Sequence, residues 1–243
     1  MLRPALAAAA IVAFVAVPVS AQTADEIIAK NLEAKGGADK LKAVQSIRLT
    51  GRMLIGPGVE APIVLELKRP RSLRMDIAVQ GMTITQAYDG TAGWMLNPMS
   101  GRTEPEELPS EAMKLVEEQA DMDGPFVDYK EKGNTVELQG KEQVEGTDCY
   151  KLKVTLKSGD TRTYYIDAEH YLEVKQESRT NVRGSDMEND TIVGDWKEVD
   201  GLLFPFSIDS GQVGGQMRQK MTVEKIEINP AIEDSRFKMP VKK

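Results

Sequence analysis

One histidine and one cysteine stand among 243 residues, and neither has the neighbours that acid–base or nucleophilic catalysis requires. His170 falls in Asp167-Ala168-Glu169-His170, between two alternating segments, so it is expected in a hairpin turn and not as a base beside a nucleophile. With Cys149 as the only thiol, the usual zinc sets are excluded. Asp121-Met122-Asp123-Gly124 echoes the start of a calcium loop but lacks the third spaced ligand and the closing glutamate. Paired acids can hydrolyse a glycoside, yet with 38 Asp and Glu residues some pairs lie close by chance. No glycine-rich phosphate loop leads from a strand into a helix. The expectation is a protein that is not an enzyme and uses no metal and no cofactor.

Composition points away from nucleic acid as well. The formal net charge is −7, which disfavours phosphate-rich partners. At the N-terminus, Arg3, an apolar run from Ala5 to Val17, and Val19-Ser20-Ala21 have the order of a cleaved export signal. The apolar run is shorter than the roughly 18 to 20 residues of a membrane span. Residues 1–21 are therefore expected to be removed, leaving 22–243 as a single domain that is exported and not lipidated, since the residue at the cleavage point is Gln22 and not a cysteine. A lone cysteine makes no internal disulfide; Cys149 is expected to be a buried strand residue.

Strict two-residue alternation must position everything else. Ile47, Leu49, Gly51, Met53 and Ile55 share one strand face, Gly56-Pro57-Gly58 breaks the pattern, and Ile63, Leu65 and Leu67 resume it before Arg69-Pro70. Leu73, Met75, Ile77 and Val79 follow. After Gln80-Gly81 come Met82, Ile84, Gln86 and Tyr88, with Asp89-Gly90 as a hairpin signal before Trp94. The second half repeats the habit around Val136, Tyr150 to Leu156, Tyr164 to Ile166, Tyr171 to Lys175, Met187 to Trp196, Leu203 to Ile208 and Met217 to Ile228. This predicts an antiparallel meander of about ten or eleven strands, one face wet and the other apolar.

Helices are few. Thr23 and Glu26 fit a capping box ahead of Ile27, Ile28 and Leu32, and Gly36-Gly37 ends that helix. Ala38 to Val44 allows a turn or two more. Ser110 to Ala120 is amphipathic, with Met113, Leu115 and Val116 beside charged residues, while Glu104 to Glu107 is expected to be a solvated loop. So large a sheet offers more apolar surface than these helices cover, so a half-open barrel should keep an apolar hollow beneath a helical lid. The expected lining is Leu49, Met53, Leu65, Leu67, Met75, Ile77, Met82, Ile84 and Trp94, with Met113, Leu115 and Val116 on the lid. Methionines, including Met95 and Met217, suit a pocket for variable chains, though methionine at strand spacing also suits ordinary core.

Several phrases in order carry a family resemblance. They are Ala34-Lys35-Gly36-Gly37, Ser46-Ile47-Arg48-Leu49-Thr50-Gly51, Lys68-Arg69-Pro70, Ala87-Tyr88-Asp89-Gly90 with Gly93-Trp94, Tyr165-Ile166-Asp167, Gly201-Leu202-Leu203-Phe204-Pro205 and Phe237-Lys238-Met239-Pro240. Together they resemble the outer-membrane lipoprotein-sorting family related to the LolA carriers. The resemblance implies an incomplete antiparallel barrel with helices over its concave face, mainly β with a few helices. It also implies a periplasmic carrier of lipoprotein or lipid acyl chains, working between an inner-membrane exporter and an outer-membrane acceptor; the protein is expected to be a monomer. It further implies a basic residue on an early strand that latches the lid, for which Arg48, Arg52 and Arg74 are the candidates.

Two other readings share this pattern. A half-barrel of this kind also serves as a periplasmic domain that senses lipid or lipoprotein and signals to a membrane partner. An integral outer-membrane barrel alternates in the same way, but Pro240-Val241-Lys242-Lys243 is not an aromatic-ended strand and two tryptophans are too few for girdles.

Overall fold

The structure, a computed structural model, describes residues 22–56, 58–182, 185–215 and 218–240. The expected leader at 1–21, Pro57 and Met217 lie outside these residues.

One helix opens the described chain. In α1 (Ala24–Ala34) the capping box forms as its spacing predicts: Glu26 N donates to Thr23 Oγ1 and Thr23 N donates to the Glu26 carboxylate. Gly36 then turns the chain with φ 109°, and a Cβ there would stand 2.3 Å from Gly201 O. Only glycine fits that approach. A short α2 (Ala38–Ala43) follows.

The strands are β1 (Ser46–Gly56), β2 (Val59–Lys68), β3 (Ser72–Val79), β4 (Met82–Tyr88), β5 (Gly93–Leu96), β6 (Glu106–Glu107), β7 (Thr135–Val144), β8 (Thr147–Thr155), β9 (Thr161–Asp167), β10 (Glu173–Val182), β11 (Ser185–Val199), β12 (Leu202–Gln212) and β13 (Arg218–Ile228). The sheet has 13 strands, more than the ten or eleven expected, partly because Glu106 and Glu107 pair with Met95 and Trp94 where a free loop was expected. Both glutamates remain exposed.

Strand order is β6-β5-β4-β3-β2-β1-β13-β12-β11-β10-β9-β8-β7. Two meanders thus meet at an antiparallel β1–β13 seam, and β6 and β7 stand at opposite edges. The chain between them, including α3 (Ser110–Gln119), must cross one whole face of the sheet. That crossing reveals the curvature. α3 packs on β4 and also holds β9 through Glu118. Those strands are eight steps apart in the order, about 38 Å if the sheet were flat, whereas a ten-residue helix is about 15 Å long. The sheet is therefore strongly curled without closing, and α3 lies across its concave side.

Register extends the alternation into whole faces. Leu49 is opposite Leu65 on one side and Ile226 on the other, Leu65 is opposite Met75, and Leu152 is opposite Tyr164, so these side chains all point to the concave side. A bulge at Thr50/Gly51 adjusts the seam. A Cβ on Gly51 would meet Thr222 O at 2.3 Å, so the close strand approach needs glycine there.

Candidate functional site

The concave face carries three apolar clusters, and the elements above them differ. On one flank Ile27 and Ile28 of α1 pack with Leu152, Val154 and Ile166, while Phe126 meets Tyr164 edge-to-face at 4.9 Å between centroids. On the other flank Val116 and Ala120 cover Leu73, Tyr88 and Leu108, with Leu65, Leu67, Met75, Met95 and Met113 around them. Between the two, at the seam, Leu49, Phe206, Val223 and Ile226 form a third cluster with half-buried Ile47, Leu65, Phe204, Met221 and Ile228. No helix contributes a residue to this central cluster.

The crossing segment is fastened by polar contacts at its margins. Arg162 on β9 donates to both carboxylate oxygens of Glu118 on α3, at 3.0 and 2.6 Å. Arg162 is itself buried, and its guanidinium lies on the apolar side with Tyr164 and Ile166. At the opposite end of the strands, Arg69 donates to both oxygens of Asp123 at 2.8 and 2.6 Å, and through Nε to Val44 O at 2.6 Å. The Arg69 hydrogen bonds hold the Asp123 carboxyl below the ordinary carboxylate range, against the opposing effect of burial. Lys132 donates to Asp121 at 2.7 Å and Lys42 to Asp128 at 2.8 Å. The acids of the calcium-like tetrapeptide thus face lysine and arginine.

Leu49, Leu65, Leu67 and Met75 are brought together on the concave face. Met53 lies opposite Met221 on the same face, half-buried. Ile77 pairs with Ile84 two positions from the β3–β4 turn, and Met82 sits beside that turn with 37% of its surface exposed. Trp94 is not among them. Its partner in register is Ala87, one residue out of phase with Tyr88, so it points to the convex side, where Nε1 donates to Phe237 O at 2.8 Å. Hydrophobicity alone made it an expected lining residue; strand parity places it elsewhere.

On α3, Val116 is fully buried and Met113 half-buried, but Leu115 is 53% exposed because it falls a turn-fraction away from the covered stripe. The expected latches are also corrected. Arg48 pairs with Glu66 at 2.9 Å, Arg52 with Glu224 at 3.0 Å and Arg74 with Asp76 at 2.8 Å. All three alternate onto the convex side, away from α3. Arg162 makes the contact instead, and its signal was present in Arg162-Thr163-Tyr164-Tyr165-Ile166, where an arginine occupies an apolar phase.

The two best-formed recesses among the described residues, about 280 and 240 Å³, are lined by residues such as Leu172, Val193 and Trp196, and Thr163, Glu177 and Val213. Neither contains an expected lining or lid residue. Cys149 is buried and packs on Val144 and Tyr165; burial pushes its thiol up to about 11. His170 sits in the β9–β10 turn, with Nδ1 3.4 Å from Asp167 Oδ2. No helix among the described residues is long and apolar enough to cross a membrane.

No protein-family model and no curated protein matches the chain. Solved structures do. A LolA superfamily protein from Nitrosomonas europaea aligns over 90% of this chain and 98% of its own, with a TM-score of 0.59 and 14% identity. A DUF1329 family protein from Desulfovibrio piger aligns over 86% and 95%, also with TM-score 0.59 and 14% identity. An outer membrane lipoprotein-sorting protein domain from Vibrio parahaemolyticus aligns over 86% and 97%, with TM-score 0.55 and 14% identity. Thirteen antiparallel strands in one open sheet, helices on the concave side and agreement over nearly the full length of these chains give this protein the LolA-like fold.

Proposed function

We propose that this protein is a non-catalytic carrier of acyl chains, belonging to a lipoprotein or a lipid, which lie along the concave face beneath α3. The observation that carries the reading is the central apolar cluster at the β1–β13 seam. It joins the two helix-covered flanks and contains no helix residue, so a chain inserted there extends an existing apolar band. Each buried methylene contributes about 0.8 kcal/mol before ordering costs.

Loading requires the cover to lift, because Val116 and Ala120 are fully buried against the sheet. The Arg162–Glu118 and Arg69–Asp123 pairs set the cost of that motion. The proposed lining is Leu49, Leu65, Leu67 and Met75, with Met53 towards the Ile77 end. Nothing in this reading uses ATP, so direction comes from a donor and an acceptor membrane component. The setting is the periplasm, following removal of residues 1–21.

Mass spectrometry of the protein extracted from cells without detergent tests this directly. An acyl lipid or a lipidated peptide should copurify in near-stoichiometric amount, and a fluorescent long-chain fatty acid should displace it. Protein that arrives empty and takes up no fatty acid defeats the proposal.

A further inference from the structure

The concave face is not apolar throughout. Across β9 to β12, Tyr164, Gln176, Thr191 and Ser210 lie in one register row. The neighbouring row runs from Arg162 through Ser178 to Asn189. Beyond Tyr164 and Arg162 these rows hold only amides and hydroxyls, all half-buried. Thr191 and Ser210 share a hydrogen bond of 2.9 Å. Ile208, two residues from Ser210, pairs with Met221, which borders the central apolar cluster.

The other face of the same strands is composed differently. Lys175, Glu177, Asp190, Asp209 and Arg218 alternate with the residues above and form one ion-pair network, with Lys175–Glu177 at 2.7 Å, Arg218–Asp190 at 2.7 Å and Arg218–Asp209 at 2.6 Å. Along these rows charge is therefore sorted to the convex side; the concave-side charges nearest them are already paired, Glu173 with Lys35 at 2.9 Å and Lys197, whose ammonium lies over Phe206, with Asp195 at 2.8 Å. Arg162, the charge at the end of the inner row, is already engaged by Glu118.

We infer that this patch receives the head region of the cargo, and that the head is uncharged and rich in hydroxyl or ester oxygens, as in an acylglycerol. Amides and hydroxyls both donate and accept hydrogen bonds, so they match alcohol and ester oxygens. They offer no countercharge to a phosphate, which would be partly desolvated in this half-buried patch without compensation. An acyl chain on the central cluster places its first polar atoms next to Ile208 and hence within reach of Ser210 and Thr191. This inference rests on the carrier reading and specifies the chemistry of its ligand.

The test compares dioleoylglycerol with dioleoyl phosphatidic acid, which carry the same chains, each competing against a fluorescent fatty acid on the full chain. Dioleoylglycerol should bind at least about tenfold more tightly. Thr191→Val and Ser210→Ala should each reduce that preference several-fold with little change in fatty-acid binding, and Thr191→Lys should shift it towards phosphatidic acid. Asp209→Asn on the convex side should leave the preference as it was. Far-ultraviolet dichroism and melting temperature confirm that each variant is folded. Equal binding of the two lipids, or unchanged preference in all the inner-face variants, overturns the inference while leaving the carrier reading in place. Binding of neither lipid and no fatty acid overturns both.

Discussion

Glu118 lies on the crossover helix α3 and Arg162 on β9, 44 residues further along the chain, and two hydrogen bonds of 3.0 and 2.6 Å join their side chains. This pair pins the only helix in the crossover between the two edges, so the curvature of the sheet and the closure of its concave face depend on the same contact. A charge-assisted hydrogen bond of this kind contributes about 1.5–3 kcal/mol, although Glu118, with 35% of its side chain exposed, is partly screened.

Arg162→Gln and Glu118→Gln should each loosen α3. Hydrogen exchange should rise selectively at amides of Ser110–Gln119, and a double-mutant cycle should give a coupling of about 1–2 kcal/mol. Arg162→Gln should lose more than Glu118→Gln, since its loss leaves a gap in a buried site. Uptake of a fluorescent fatty acid should be faster in both. Equal exchange in wild type and variants would show that the pair does not hold the helix.

Gly93 lies directly under the cover. A Cβ there would stand 2.6 Å from Met113 Sδ and 2.8 Å from Leu108 Cδ1. Gly93→Ala should destabilise the protein by about 1–3 kcal/mol through overpacking, measured by urea unfolding. Met113→Ala in the same chain should recover part of that loss, because the sulfur is the nearer of the two obstacles.

The Arg69–Asp123 pair predicts a pH dependence whose sign follows from the depressed carboxyl. Asp123 has a lower pKa folded than unfolded, so its contribution is fully present above the unfolded value of about 3.9 and is lost as pH falls through the folded value. Unfolding free energies of wild type and Asp123→Asn should therefore differ at neutral pH and converge in strong acid. A constant difference down to about pH 2 would rule out this linkage.

Cys149 reports on global opening. Buried, with its thiol pushed up to about 11, it should react with a maleimide at pH 8 only slowly in the folded protein. Reaction should become rapid in denaturant, and the rate should follow unfolding and not displacement of α3. Rapid labelling of the folded chain would contradict its burial.

Trp94 separates the two faces. Trp94→Phe removes the hydrogen bond to Phe237 O and should cost about 1 kcal/mol with no change in fatty-acid affinity. Leu65→Ala, on the concave side, should weaken that affinity as well as stability. A loss of affinity in Trp94→Phe equal to that in Leu65→Ala would place the cargo elsewhere.

Much was legible before any coordinates. Alternation at Leu49, Leu65 and Met75 identified strands and their apolar phase, because a strand's side chains switch faces at every residue whatever it pairs with. The Thr23–Glu26 box and Gly36 marked the ends of α1 for equally local reasons. The failures share a cause: Arg48, Arg52 and Arg74 came from the family resemblance as basic residues of early strands, and Leu115 and Trp94 from hydrophobicity, but each belongs to a phase or stripe that faces away from the concave side.

The sequence by itself determined the strand periods and the helix caps, since these depend on residues within a few positions of one another. Only the tertiary structure decided that β1 pairs with β13, that the chain between β6 and β7 crosses the concave face, and that Arg162 meets Glu118. Those relations join residues from 44 to more than 170 positions apart, where alternation is silent about partners. They are selected by which pairing buries both apolar faces at once and leaves each buried charge with a counterpart.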